Sequence, residues 1–326
     1  MLINTFSKEG LNFIQIENDL NLKVVFCDLG ASIFSIHYDD DLMTRNVKDI
    51  KDFKLPECYY GKTVGRTSGR LKGYRFDIHD QVYNLKPNEN INVLHGGLNG
   101  LSNKIFKAVV NKYEDYIEVV FTYHSPHLEA GYPGNIDIQV RYLMWSHINR
   151  VDIRYDAKSD MDTLFRLTNH SYFSLGDEDI SNLELQIKSH RYLRLNNEDL
   201  LPIKPEIIND VMNFYNFKKI IKDIDNDFLK GKMMNGYDNY WYFDDVDEDK
   251  INVSLKNDRY QLDIITSYPG VVLYSSNYSP KFDLDNKNKY RDSVALEPSD
   301  DLNQLPVLIK EQVYHRSIAY IFNKKQ

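Results

Sequence analysis

Cysteine is almost absent from this chain. Cys27 and Cys58 are the only two in 326 residues, too few for the disulfide framework of an extracellular scaffold, so stability has to come from a buried core. Both are expected to be free thiols in a reducing compartment. Long apolar runs are missing too: no segment approaches the ~20 residues that a bilayer-spanning helix needs. The start, Met1 to Glu9, has no basic stretch followed by an apolar one, and cytoplasm is the expected location. Positive charge is in deficit. A formal net charge of −8 argues against nucleic acid and anionic membrane surfaces as partners. It also counts, more weakly, against a phosphorylated substrate. No Pro/Ser-rich linker and no repeat divides the chain, so residues 1–326 are expected to form one domain.

What is abundant is aromatic residues and alternation. Tyrosine alone occurs 24 times, a bias toward strands and toward surfaces that meet carbohydrate. Ile136, Ile138, Val140 and Tyr142 fall on one strand face with Asp137, Gln139 and Arg141 on the other. After Asn149-Arg150 the pattern resumes with Val151, Ile153 and Tyr155, which predicts a hairpin. Ile251, Val253 and Leu255 pair in the same way with Tyr260, Leu262 and Ile264 across Asn257-Asp258. Further strands are expected at Ile117 to Tyr123, Leu183 to Ile187 and Ser317 to Phe322. Sustained helical periodicity is rare, and the best helix candidate is Ile207 to Phe217. Many short strands separated by turns predict an all-β fold, a large antiparallel sandwich with few short helices. The acidic run Asp244 to Asp249 lacks the glycine and ligand spacing of a calcium loop and reads as a solvated connection.

Three phrases carry candidate chemistry. His170 lies in Asn169-His170-Ser171-Tyr172-Phe173, just after the apolar Leu164, Phe165 and Leu167, which places it near a strand end. His95 precedes two glycines in Leu94-His95-Gly96-Gly97, residues that allow a turn or a close approach to a ligand. Glu297 stands among apolar neighbours in Ala295-Leu296-Glu297-Pro298, where a pocket would raise its pKa toward a useful base strength; the proline is expected to end the strand's pairing. Either histidine phrase alone is more often structural, and Glu297 alone is either exposed on an edge or held in a pocket. Together, an imidazole and a carboxylate in one pocket can donate and accept the two protons that opening a cyclic hemiacetal requires. Arg66 and Arg70 offer guanidinium forks suited either to sugar hydroxyls or to a loop-fixing ion pair.

The order of phrases resembles the aldose 1-epimerase (galactose mutarotase) family. They run Gly65-Arg66 to Arg70, Leu94 to Gly97, Gly131-Tyr132-Pro133-Gly134-Asn135, Asn169 to Phe173, Gly236-Tyr237-Asp238, Tyr268-Pro269-Gly270-Val271 and Leu296-Glu297-Pro298. The resemblance spans nearly the whole chain, and the phrase around His170 is its most specific element. It implies a large β-sandwich with the sugar in an open cleft. It further implies Glu297 as the general base on the C1 hydroxyl and His170 as the general acid on the ring oxygen. Arg70, His95 and Asp238, with Tyr172 added, are implied to hold sugar hydroxyls. Three positions depart from common family residues: Gly69 for asparagine, Tyr268 for glutamine and Asn239 for histidine, and these bear on sugar preference.

The reaction implied is interconversion of the α and β anomers of a free hexose, galactose or glucose, with no cofactor and no metal. The small-molecule sugar is the expected partner, and a homodimer is compatible with the sequence. At neutral pH the glutamate is the natural base, and a carboxylate nearby is expected to stabilise the imidazolium. Rival readings are a glycoside hydrolase using Glu297 with Asp238, a non-catalytic sugar-binding protein, and a hexose-phosphate mutarotase with a basic rim built from Lys62, Arg66, Arg70 and Lys72. A metal at His124-Ser125-Pro126-His127 is not expected, because the proline denies the two histidines a shared helical face; a loop is.

Overall fold

Two large antiparallel sheets organise the chain in a computed structural model that describes residues 1–286 and 290–325. The first has nine strands in the spatial order Lys107–Lys112, Tyr116–Ser125, Ile136–Trp145, Arg150–Ser159, Val313–Lys324, Tyr260–Thr266, Val253–Lys256, Glu184–Ile187 and Lys218–Lys219. Both hairpins read from alternation are there, with Val140 opposite Tyr155 and Leu255 opposite Leu262. The closing strand is longer than expected, Val313–Lys324, and lies between the two hairpins.

The second sheet has seven strands: Pro202–Ile207, Arg191–Leu195, Asp238–Tyr242, Gly270–Tyr274, Val294–Ser299, Tyr172–Phe173 and Thr44–Arg45. Its inner residues Trp241, Val271, Leu273, Val294 and Leu296 join one core with Val119, Phe121, Val140, Ile153 and Tyr320 of the first sheet. Burial on this scale is the main stabilising contribution to such a fold. A five-stranded meander over the first 42 residues, from Leu2–Lys8 to Asp41–Leu42, adds Ile16, Val24 and Ile36 to the same core. This is the all-β sandwich the sequence predicts.

Three local expectations are corrected. Ile207 to Phe217 is not a helix: Ile207 ends a strand, and the amides of Met212 and Tyr215 bond to the side chains of Asn209 and Asn213. Those side chains supply the local hydrogen bonds that a helix would have needed, a competition typical of asparagine. The strand bearing Glu297 does not stop at Pro298 but runs to Ser299, with Val271 opposite Pro298. His124 and Ser125 end the strand Tyr116–Ser125 rather than lying in a loop, and His124 pairs with Asp137 on the surface. Among the described residues the α-helix Ile50–Phe53 is a single turn, and no helix is long and apolar enough to cross a membrane.

Candidate active site

Strand alternation assembles the floor of a cleft on the outer face of the seven-stranded sheet. Asp238 lies opposite Tyr274, Tyr274 opposite Ala295, and Ala295 opposite Tyr172; one step along, Tyr240, Val272 and Glu297 form the next row. Because side chains on a strand repeat every second residue, Asp238, Tyr240, Val272, Tyr274, Glu297 and Tyr172 all face the same way. They border a cavity of about 440 Å³ that also touches Arg70, His95 and His170. All six residues nominated for the site therefore meet in one place.

His170 enters between two small pairings. Thr168 and Asn169 pair with Val64 and Thr63, and Tyr172 then joins the large sheet. Its own amide donates to the Lys62 carbonyl and its carbonyl accepts from the Gly61 amide, both at 2.9 Å. The neighbouring residues brace it: Asn169 Oδ1 accepts from the amide and the hydroxyl of Ser171, while its Nδ2 donates to the Gly61 carbonyl. His170 Nε2 comes within 3.3 Å of Glu297 Oε1, and both side chains are about 95% buried.

His95 sits at φ +52°, a left-handed backbone that the following Gly96 and Gly97 continue. A Cβ on Gly96 would lie 2.1 Å from the Gly65 carbonyl oxygen, so this glycine serves a backbone approach rather than a ligand. The Gly69 amide donates to His95 Nδ1 at 3.3 Å. That bond requires an unprotonated Nδ1 and leaves the proton on Nε2, a donor suited to a hydroxyl oxygen. His95, His170 and Glu297 have the composition of a two-histidine, one-carboxylate metal set, with candidate ligand atoms within 4.8 Å of one another. The tautomer fixed by Gly69 places a proton where a metal bond from Nε2 would form, and the other ring nitrogen of His170 has no partner among the described residues to orient it. A metal ligand needs the opposite arrangement, so the donor set does not fit a resident ion.

Arg70 is held from two sides. Its Nε and Nη2 donate to the carboxylate of Glu89 at 2.7 and 3.0 Å, and Nη1 reaches Asp238 Oδ2 at 3.3 Å. Burial works against its charge, but the two carboxylates outweigh it and its pKa is raised. Glu89 was not singled out in the sequence, where Asn88-Glu89-Asn90 reads as a polar turn. Glu89→Gln is expected to raise KM about tenfold while kcat stays within about threefold, measured by polarimetric initial rates, because it loosens the guanidinium that the family resemblance implies as a holder of sugar hydroxyls, in the bound sugar and during reaction alike.

Electrostatics correct one expectation. Burial, reinforced by Asp238 and partly offset by Arg70, pushes the Glu297 carboxyl up to about 8. Burial also pulls the His170 imidazole down to about 4, so the carboxylate beside it does not win as anticipated. His95 is likewise pushed well below its usual value by burial, with His170 and Arg70 adding to it. Neither charged form of the His170–Glu297 pair is favoured in the empty cleft, and between about 4 and about 8 the pair holds one proton. Of the three departures, Gly69 and Asn239 border the cavity. Tyr268 instead is sealed in the core, its hydroxyl donating to the Leu167 carbonyl at 2.7 Å, and does not touch the cleft.

Residues 12–320 match the family model described as aldose 1-epimerase. The chain belongs to the aldose 1-epimerase family. It is 28% identical over 298 residues to an aldose 1-epimerase of Haemophilus influenzae, covering 87% of this chain and 85% of that one. It is also 28% identical over 236 residues to the galactose mutarotase of Rattus norvegicus, covering 71% and 66%. In fold it matches the crystal structure of a galactose 1-epimerase from Lactobacillus acidophilus NCFM with a TM-score of 0.90 at 23% identity, over 100% of this chain and 99% of that one. As a member of this family the protein is an isomerase, a mutarotase of sugars.

Proposed function

We propose that the protein interconverts the α and β anomers of a free hexose, galactose or glucose, with Glu297 and His170 as the reacting pair. The observation that carries this is the 3.3 Å contact between His170 Nε2 and Glu297 Oε1 inside a sugar-sized cavity. The C1 hydroxyl and the ring oxygen of a pyranose are bonded to the same carbon, so the groups that serve them have to stand side by side. Glu297 takes the proton of the C1 hydroxyl and His170 gives one to O5. The C1–O5 bond breaks as the C1–O1 bond becomes a carbonyl. Rotation about C1–C2 presents the other aldehyde face, and closure returns both protons. Arg70, Asp238 and the Nε2–H of His95 hold hydroxyls, and Tyr172 supports the ring of His170 at 4.9 Å between centroids.

The working ion pair forms when the single proton of the dyad passes from Glu297 to His170. A second reading exchanges the roles, with protonated Glu297 as acid and neutral His170 as base; the raised Glu297 and lowered His170 favour it. The ¹³C shift of the Glu297 carboxyl with sugar bound separates the two, being that of a carboxylate in the first and of a carboxylic acid in the second.

Three of the four basic residues that the phosphate reading would use are already engaged, while Lys72 is exposed and Lys232 borders the cavity. Lys62 is fully buried and donates to the Phe53 carbonyl, Arg66 is buried against carbonyls of residues 125–134, and Arg70 is already shared by two carboxylates. The test is polarimetry on freshly dissolved α-galactose, α-glucose and glucose 6-phosphate. Catalysed decay of rotation is expected for one or both free hexoses, at least about tenfold faster in kcat/KM than for the phosphate. No catalysis on either free hexose, or a preference for the phosphate, overturns the reading.

A further inference from the structure

The dyad leaves one requirement unmet: something must hold the His170 ring in place, since its Nδ1 is buried with no hydrogen-bond partner among the described residues. Histidines that act in catalysis usually have that nitrogen anchored by a carboxylate or carbonyl. Here the ring is flanked instead by aromatic faces. Tyr172 stacks on it at 4.9 Å and 28° between planes, Tyr59 stacks at 5.9 Å and 24°, and His95 meets it edge-on at 5.0 Å and 80°. Tyr59 also touches His95, with ring centroids 4.8 Å apart. The Tyr59 hydroxyl accepts from Asn88 Nδ2 at 3.3 Å. The same Asn88 side chain bonds both the amide and the carbonyl of Leu94, at 2.8 and 3.0 Å, immediately before His95. The backbone two residues beyond Tyr59 pairs with the backbone of His170.

From this geometry we propose that Tyr59 is a positioning residue, whose ring face fixes the orientation of the His170 imidazole. The proposal rests on the reading of His170 as part of the reacting pair. It goes beyond that reading by naming what takes the place of the missing Nδ1 anchor. A parallel aromatic face suits both forms of the imidazole: it packs against the neutral ring and attracts the cation that forms when the proton arrives. The face carries this role, so phenylalanine should replace tyrosine and an aliphatic residue should not.

The test compares Tyr59→Phe and Tyr59→Leu with the wild type. By polarimetry, Tyr59→Leu is expected to lower kcat about 10- to 100-fold, the scale of a misplaced catalytic group, while Tyr59→Phe stays within about threefold. Both variants are checked for folding by thermal melts. A second readout is independent of activity. The ring protons of His170, assigned by their loss in His170→Gln, should be shifted by the tyrosine ring currents in the wild type and in Tyr59→Phe, and should move in Tyr59→Leu. If those shifts are unchanged in a folded Tyr59→Leu, or if its kcat equals that of an active wild type, Tyr59 positions nothing and the proposal is overturned. An inactive wild type whose His170 shifts behave as described overturns the mutarotase reading and leaves the contact standing.

Discussion

Glu297→Gln is expected to reduce kcat by about 10²- to 10⁴-fold, the range that a single general acid–base group supplies, with the dissociation constant for galactose or glucose changed less than about threefold. The substitution keeps volume and hydrogen-bonding capacity but cannot accept the proton of the C1 hydroxyl. Polarimetric initial rates and calorimetric titration with sugar separate the two effects, and a variant with normal turnover removes Glu297 from the chemistry. The same substitution should stabilise the protein, in a manner that depends on pH. The folded carboxyl holds its proton up to about 8, whereas in the unfolded chain it ionises at the ordinary value of 4.5. Folding therefore takes up a proton between those values, and the contribution of Glu297 to stability is greatest below 4.5 and lost as pH rises to about 8. Glutamine has no such loss, so the Tm gain of Glu297→Gln over wild type should grow across that window, from near zero at pH 4.5 to about 2 °C or more at pH 8.5. Such a trade of stability for activity is common where a carboxyl is buried for chemistry rather than for packing.

Much of this site is legible in the chain because it is built on short, local phrases. Alternation around Ile136 to Tyr155 and Val253 to Ile264 gives two hairpins of the nine-stranded sheet, and the phrases around His95, His170, Asp238 and Glu297 supply the groups proposed to react with and to hold the sugar. What is not legible depends on contacts between distant segments. Glu89 matters only because Leu94 pairs with Arg70 and folds the intervening turn back toward that guanidinium. Tyr59 matters only because Gly61 and Lys62, two and three residues on, bond to the backbone of His170. The wall formed by Leu195, Leu200, Met233 and Leu302 draws on three separate segments whose apolar residues could equally have been core. The sign of the shift on His170 was missed for a related reason: proximity to a carboxylate can be guessed from function, but the depth of burial that outweighs it comes from packing. Gly69 illustrates the same limit. A Cβ there would lie 3.1 Å from the side chain of Leu302, so its replacement of a polar residue is coupled to an apolar neighbour more than two hundred positions away.

His170→Gln should cost about as much as Glu297→Gln, about 10²- to 10⁴-fold in kcat, and should also change the shape of the pH profile. In the wild type the dyad is active with one proton, and which of the two groups carries it does not affect the count. As pH falls through about 4 the imidazole gains a second proton, and the base function is lost. As pH rises through about 8 the carboxyl gives up the only proton, and the acid function is lost. The log of kcat/KM should therefore form a plateau bounded by those values, falling by about tenfold per pH unit beyond each. Removing the imidazole removes its limb. The residual activity of His170→Gln should lack the acid limb near 4 and retain a single transition, that of Glu297. This transition should now lie lower than about 8, because the smaller glutamine side chain admits water beside the carboxyl and eases the burial that raised it. A His170→Gln profile that keeps both limbs, at their wild-type positions, would show that the two transitions belong to other groups and that the 3.3 Å contact is not the reacting pair.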